Sequence, residues 1–97
     1  MREWEESLRE RLAASPEYAA EYLNAVLEEH DSQAFLLALR HVAEANGGLS
    51  KLANDAELSR ESLYRTLSES GNPKLSSLTA VLEALGMQLT ILPKKAA

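Results

Sequence analysis

Apolar positions along the chain fall into short helical stripes separated by turn residues. Trp4, Leu8 and Leu12 recur every fourth residue, a spacing that places side chains on one face of a helix. Ser15-Pro16 closes that segment and opens the next. A serine hydroxyl accepts from the free N–H groups of a first turn, and proline fits the first helical position because it has no N–H to lose. Ala19, Leu23, Val26 and Leu27 continue the pattern to about Glu29. Asp31 caps a third predicted helix with Phe35, Leu39, Val42 and Ala43 along one side. Asn46-Gly47-Gly48 ends it, since Asn and Gly tolerate the left-handed backbone of a helix terminus.

Shorter pieces follow. Ser50 is expected to cap a helix over 51–56, and Ser59 another over 60–68. The polar run SESGNP, 68–73, reads as a loop. Leu75, Leu78, Leu82 and Leu85 mark a helix that Gly86 terminates. Met87, Leu89 and Ile91 then alternate with Gln88, Thr90 and Leu92, which predicts a short strand over 87–93 before a frayed tail from Lys94 onward. The expected fold is all-α, with five to six short helices plus this C-terminal β-strand. One domain spans 1–97, divided into an N-terminal helical extension (1–30), a core (31–86) and the strand (87–93). A lone strand leaves its backbone unpaired, so Met87, Leu89 and Ile91 become candidate contacts to a second copy or to a partner's sheet.

Composition narrows the function classes. With 45% apolar and 26% charged residues the chain is globular and not disordered, and 97 residues suffice for one small core. It has no cysteine, which removes disulfides and thiolate zinc sites. His30 and His41 form no His-Glu-x-x-His pattern, so no metal is expected. Neither a membrane-length apolar run nor an apolar signal core occurs, which points to the cytoplasm and to no membrane partner. No serine has a nucleophile context and no glycine-rich phosphate loop is present, so neither an enzyme nor a cofactor is expected. The net charge of −5 argues against nucleic acid until its distribution is examined. Residues 1–46 hold 10 acidic and 4 basic side chains, whereas 47–97 hold 5 acidic and 6 basic. The acid thus sits in the first half, leaving the second half free to meet phosphate.

That second half contains LSKLANDAELSRESLYRTL, residues 49–67. Two short helices crossing steeply need a small residue where their backbones meet, and Ala53 stands there. Leu58 follows the turn and is placed to plug the angle. Leu63 and Leu67 turn the second helix inward, leaving Arg60, Glu61, Tyr64 and Arg65 on the remaining face. Long polar side chains near the start of a helix are what major-groove reading requires. A bland reading stands beside this one: Arg60 and Arg65 as solvated charges, Glu61 as an exposed acid that repels phosphate, and Tyr64 as a helix-edge packing residue.

The segment resembles the helix-turn-helix of the phage-repressor and Cro-like (XRE-type) family, and 71–78, GNPKLSSL, is similar to that family's next helix. SRESLYR (59–65), GNP (71–73) and LGM (85–87), with PEYAAEYLN (16–24) and FLLALR (35–40), look like a narrower group, the HigA-like addiction-module antitoxins. The resemblance covers roughly 16–93. It implies a lambda-repressor-like fold, a homodimer on operator DNA, repression of the chain's own operon and direct neutralisation of a RelE/HigB-like toxin. It further implies that Arg60 and Glu61 read bases, that Tyr64 and Arg65 reach bases or phosphates one turn later, and that Lys51, Ser59 and Lys74 touch the DNA backbone. One departure stands out: the family often has Gly in the turn where this chain has Glu57, which adds about 1 kcal/mol of strain if the position is left-handed. A toxin grips RNA and is therefore basic, and Glu3, Glu5, Glu6, Glu10, Glu17 and Glu21 suit such a partner. Two other functions stay open at this point: a repressor without a toxin, and a helical module that binds only protein.

Overall fold

Capping chemistry sets most helix boundaries in the computed structural model, which describes residues 2–68 and 72–95. The elements are α1 (Arg2–Ala14), α2 (Pro16–Leu27), α3 (Ser32–Ala45), α4 (Leu49–Asp55), α5 (Arg60–Thr66) and α6 (Leu75–Ala84). Ser15 Oγ accepts from the Tyr18 N–H at 3.2 Å, with Pro16 at the start of α2. Asp31 Oδ1 accepts from the Ala34 N–H at 3.1 Å and opens α3. Both use a side-chain oxygen to satisfy a donor that has no partner within the helix.

Three C-termini close alike. After α3, Gly47 (φ 104°) turns the chain and the Gly48 N–H donates to the Ala43 carbonyl at 3.0 Å. After α6, Gly86 (φ 83°) does the same, and the Met87 N–H reaches the Leu82 carbonyl at 2.8 Å. After α4 the left-handed position is Glu57 (φ 57°), and the Leu58 N–H reaches the Ala53 carbonyl at 2.9 Å. This six-to-one bond is the Schellman closure, which normally asks for glycine at its left-handed residue.

The buried side chains of all six helices form one cluster. Its centre is α3, whose Leu39, Val42 and Ala43 are 0% exposed. Each fully buried leucine or valine adds about 1.5–3 kcal/mol over an exposed one. Leu12 of α1 and Ala19 and Leu23 of α2 join the cluster, and the first three helices pack on one another. Smaller α4 touches α3, α5 and α6, so Leu52 and Ala53 link the two ends of the chain to the centre. The stripes read from the sequence run past the core at their ends. Trp4 and Leu75 are both 69% exposed and Leu27 is 45% exposed.

Two expectations are corrected. Ser50 does not cap α4: Gly48 holds that place (φ 91°) without a side-chain bond, and its carbonyl already accepts from the Leu52 N–H at 3.1 Å. The glycine closure of α3 hands the chain straight to α4, so Ser50 lies inside the first turn. The strand expected over 87–93 is also absent, and the described residues contain none. A strand needs a ladder, and among the described residues there is no second strand for 87–93 to pair with. Met87 instead packs against the core, while Leu89 and Ile91 are exposed. The polar loop expected over 68–73 and the tail from Lys94 fall partly outside the described residues. No helix among the described residues is long and apolar enough to cross a membrane.

Candidate nucleic-acid interface

α5 is only 7 residues long and owes its position to its neighbours. Leu63 (0% exposed) and Leu67 (2%) pin its inner side to the core, and Ala53 of neighbouring α4 is buried, at 5% exposure. Leu58, half-buried, packs against the same cluster just before α5 begins. At the N-terminus Ser59 Oγ accepts from the Ser62 N–H at 3.0 Å and its hydroxyl donates to Ser62 Oγ at 2.8 Å. With its inner side anchored and its start capped, α5 has one orientation.

What remains outward are Arg60, Glu61, Tyr64 and Arg65, all exposed. They divide into two groups. The Arg60 guanidinium carbon lies 5.8 Å from the centroid of the Tyr64 ring, over its face. Arg65 instead lines a concavity of about 400 Å³ with Lys74, the side chains of Ser62, Thr66, Ser68 and Ser77, and Asn72-Pro73. Lys74 precedes α6 and makes no side-chain cap, so the first-turn N–H groups of that helix are left open beside it. The Ser68 hydroxyl already donates to the Arg65 carbonyl at 2.9 Å, and the two cations are the main hydrogen-bond donors the hollow offers to an anionic oxygen.

Lys51 stands apart. Its Nζ pairs with Asp55 Oδ2 at 2.6 Å, one turn along α4. The two line a smaller hollow with Asn46, Leu52 and the C-terminal end of α6, Ala84-Leu85. The lysine stem runs over Gly47, where an added Cβ would come within 2.5 Å of Lys51 Cδ. The fold therefore brings Arg65 and Lys74 to one hollow and Arg60 and Tyr64 to one stack, and it places Lys51 in neither. Ser59 serves its own helix. The residue reading missed Ser62, Ser68, Asn72 and Ser77 as companions of Arg65, and Asp55 as the partner of Lys51. Only the last had a sequence signal, its four-residue spacing from the lysine.

A family model described as "Probable addiction module antidote protein" matches residues 7–93, most of α1 and all five later helices. This chain belongs to that family. An uncharacterized protein of Haemophilus influenzae is 40% identical over 70 residues, which cover 72% of this chain and 71% of the relative. No solved structure matches. The match is to the antidote family as a whole and does not single out its HigA-like members.

The antidote-family chain carries a second, different surface on α1 and α2. Glu3, Glu6 and Glu10 of α1 and Glu17 and Glu21 of α2 are all exposed. Beside them Trp4 lines two shallow grooves, one with Leu8, Tyr18 and Tyr22, the other with Leu8, Tyr22, His41 and Glu44. Tyr22 Oη lies 3.1 Å from His41 Nδ1 and ties α2 to α3 at this surface. Burial, and after it the neighbouring Tyr18, raises the Tyr22 phenol above its ordinary value of 10.0. No group of residues suited to hold a metal ion occurs among the described residues.

Proposed function

We propose that this chain is a DNA-binding antitoxin: a homodimeric helix-turn-helix repressor of its own operon that also neutralises a RelE/HigB-like toxin by direct contact in the cytoplasm. The observation that carries the DNA half is the orientation of α5. Leu63 and Leu67 are buried in the core, Arg60, Glu61, Tyr64 and Arg65 are exposed, and Arg65 shares a hollow with Lys74. α4, the turn at Glu57 and α5 then form the helix-turn-helix, with α5 entering the major groove. Arg60 supplies the base-reading fork, and Arg65, Lys74 and the hydroxyls near them hold a phosphate.

DNase I footprinting over the DNA upstream of the chain's own coding sequence tests this half. A protected pair of half-sites one or two helical turns apart is expected. Arg65→Ala and Lys74→Ala should each weaken binding to all sequences and flatten the salt dependence by about one phosphate's worth. A folded chain that leaves this DNA uniformly cut contradicts the reading.

The antidote half rests on the family and on the exposed carboxylates of α1 and α2. An acidic surface steers and holds a basic protein. Deleting residues 1–15 would be a poor test, because Leu12 is 2% exposed and belongs to the core. Changing Glu3, Glu6, Glu10, Glu17 and Glu21 to Gln leaves the core intact. Co-expressed with the basic protein of a neighbouring reading frame, that variant should lose growth rescue while keeping DNA binding. Undiminished rescue removes the acidic face from the account. The exposed C-terminal segment, with Leu89 and Ile91, pairs with a second copy in this reading, and Leu89→Pro should shift the dimer toward monomer.

A further inference from the structure

We propose that Tyr64 is a positioning residue for Arg60: its ring is the platform that holds the guanidinium in the orientation that reads a base. The inference rests on the DNA-binding reading above and goes beyond it by separating the roles of two residues on one helix face. Arg60 and Tyr64 are one turn apart on α5, and the guanidinium carbon sits 5.8 Å from the ring centroid. The helix that carries both residues is fixed in rotation, because the adjacent Leu63 is 0% exposed in the core. Half of Tyr64 remains open to solvent, at 46% exposure, so the stacked pair lies on the surface and not in the core.

The geometry of the stack matters for what the arginine can then do. A cation over an aromatic ring is held through the ring's negative face. A guanidinium held by the face of a ring spends no N–H on an oxygen acceptor, so its donors stay available for a bidentate contact to guanine O6 and N7. An ion pair would do the opposite and occupy those donors. Among the described residues no carboxylate lies within ion-pair distance of Arg60, whereas Lys51 on α4 is paired to Asp55. A free arginine loses considerable side-chain freedom when it binds, and an arginine already resting on a ring loses less. The Tyr64 hydroxyl makes no hydrogen bond to the described residues, which fits a role carried by the ring.

The test is selection of binding sites from a random duplex library with the full chain, comparing wild type, Tyr64→Phe, Tyr64→Ala, Arg60→Ala and the double alanine variant. Wild type and Tyr64→Phe should enrich the same site with the same preference at each base pair. Tyr64→Ala should relax preference at one base pair by about two- to fivefold, the range expected of an exposed cation–π contact. The relaxed base pair should be the one that Arg60→Ala relaxes, and the double variant should be no worse there than Arg60→Ala. If Tyr64→Phe is as damaging as Tyr64→Ala, the hydroxyl contacts DNA directly and the platform role is wrong. Relaxation at a different base pair, or none, also overturns it while leaving DNA binding in place. A folded wild-type chain that enriches no sequence overturns the DNA-binding reading, and the inference falls with it.

Discussion

Glu57 is one of two described residues, with His30 (φ 56°), where a side chain other than glycine stands at a left-handed position. Its φ of 57° sits in the left-handed region, where an L side chain costs about 1–2 kcal/mol. Glu57→Gly should raise stability by about 0.5–1 kcal/mol in urea titration, since the relief of strain is partly offset by the freedom that glycine loses on folding. A loss of stability would show that the Glu57 side chain makes a compensating contact. Tyr22 gives a pH signature. Its folded-state phenol is raised above 10.0, so its stabilising contribution is complete below pH 10 and is lost as pH rises through the folded value. Tyr22→Phe should abolish that part of the alkaline decline, measured as the slope of unfolding free energy against pH; an unchanged slope would contradict it. Residue chemistry was well legible in the sequence where one side chain acts on its own turn, as with the caps at Ser15, Asp31 and Ser59. It was less so where neighbours compete. Gly48 takes the cap from Ser50 because the closure of α3 decides where α4 starts.

Among the elements, α5 is the one on whose placement the proposed DNA binding depends. A helix of 7 residues has little stability of its own, so its cap and its two buried leucines determine whether it forms. Ser59→Ala should cost about 1 kcal/mol. Leu63→Ala, in a fully buried site, should cost about 3–5 kcal/mol in chemical denaturation. A smaller loss at Leu63 would mean that α5 is not anchored as described. The helices were legible because apolar spacing and turn residues agree along the chain. The strand over 87–93 was not, since a period of two says only that two faces differ and a strand exists only with a neighbour to bond. Likewise, the hollow shared by Arg65 and Lys74 depends on how the start of α6 folds back beside α5. Nothing in the linear spacing of Ser62, Asn72 and Ser77 announces that meeting.

On the scale of the whole molecule, charge is divided unevenly along the chain. A net charge of −5 is compatible with DNA binding because the acidic excess lies in residues 1–46, with 10 acidic against 4 basic side chains, while Arg60, Arg65 and Lys74 lie on and beside α5. The proposed function gives a reason for such a division, with nucleic acid at one surface and a basic protein at the other. Neutralising the α1 and α2 carboxylates should therefore strengthen non-specific DNA binding modestly, by reducing long-range repulsion, and the gain should vanish at high salt. The central claim is tested most directly by a mobility-shift titration of the DNA upstream of the chain's own gene at two salt concentrations, with Arg60→Ala alongside. Selective binding that weakens with salt and loses its selectivity in Arg60→Ala is the predicted result. No binding by the folded chain, or equal selectivity in Arg60→Ala, would contradict it.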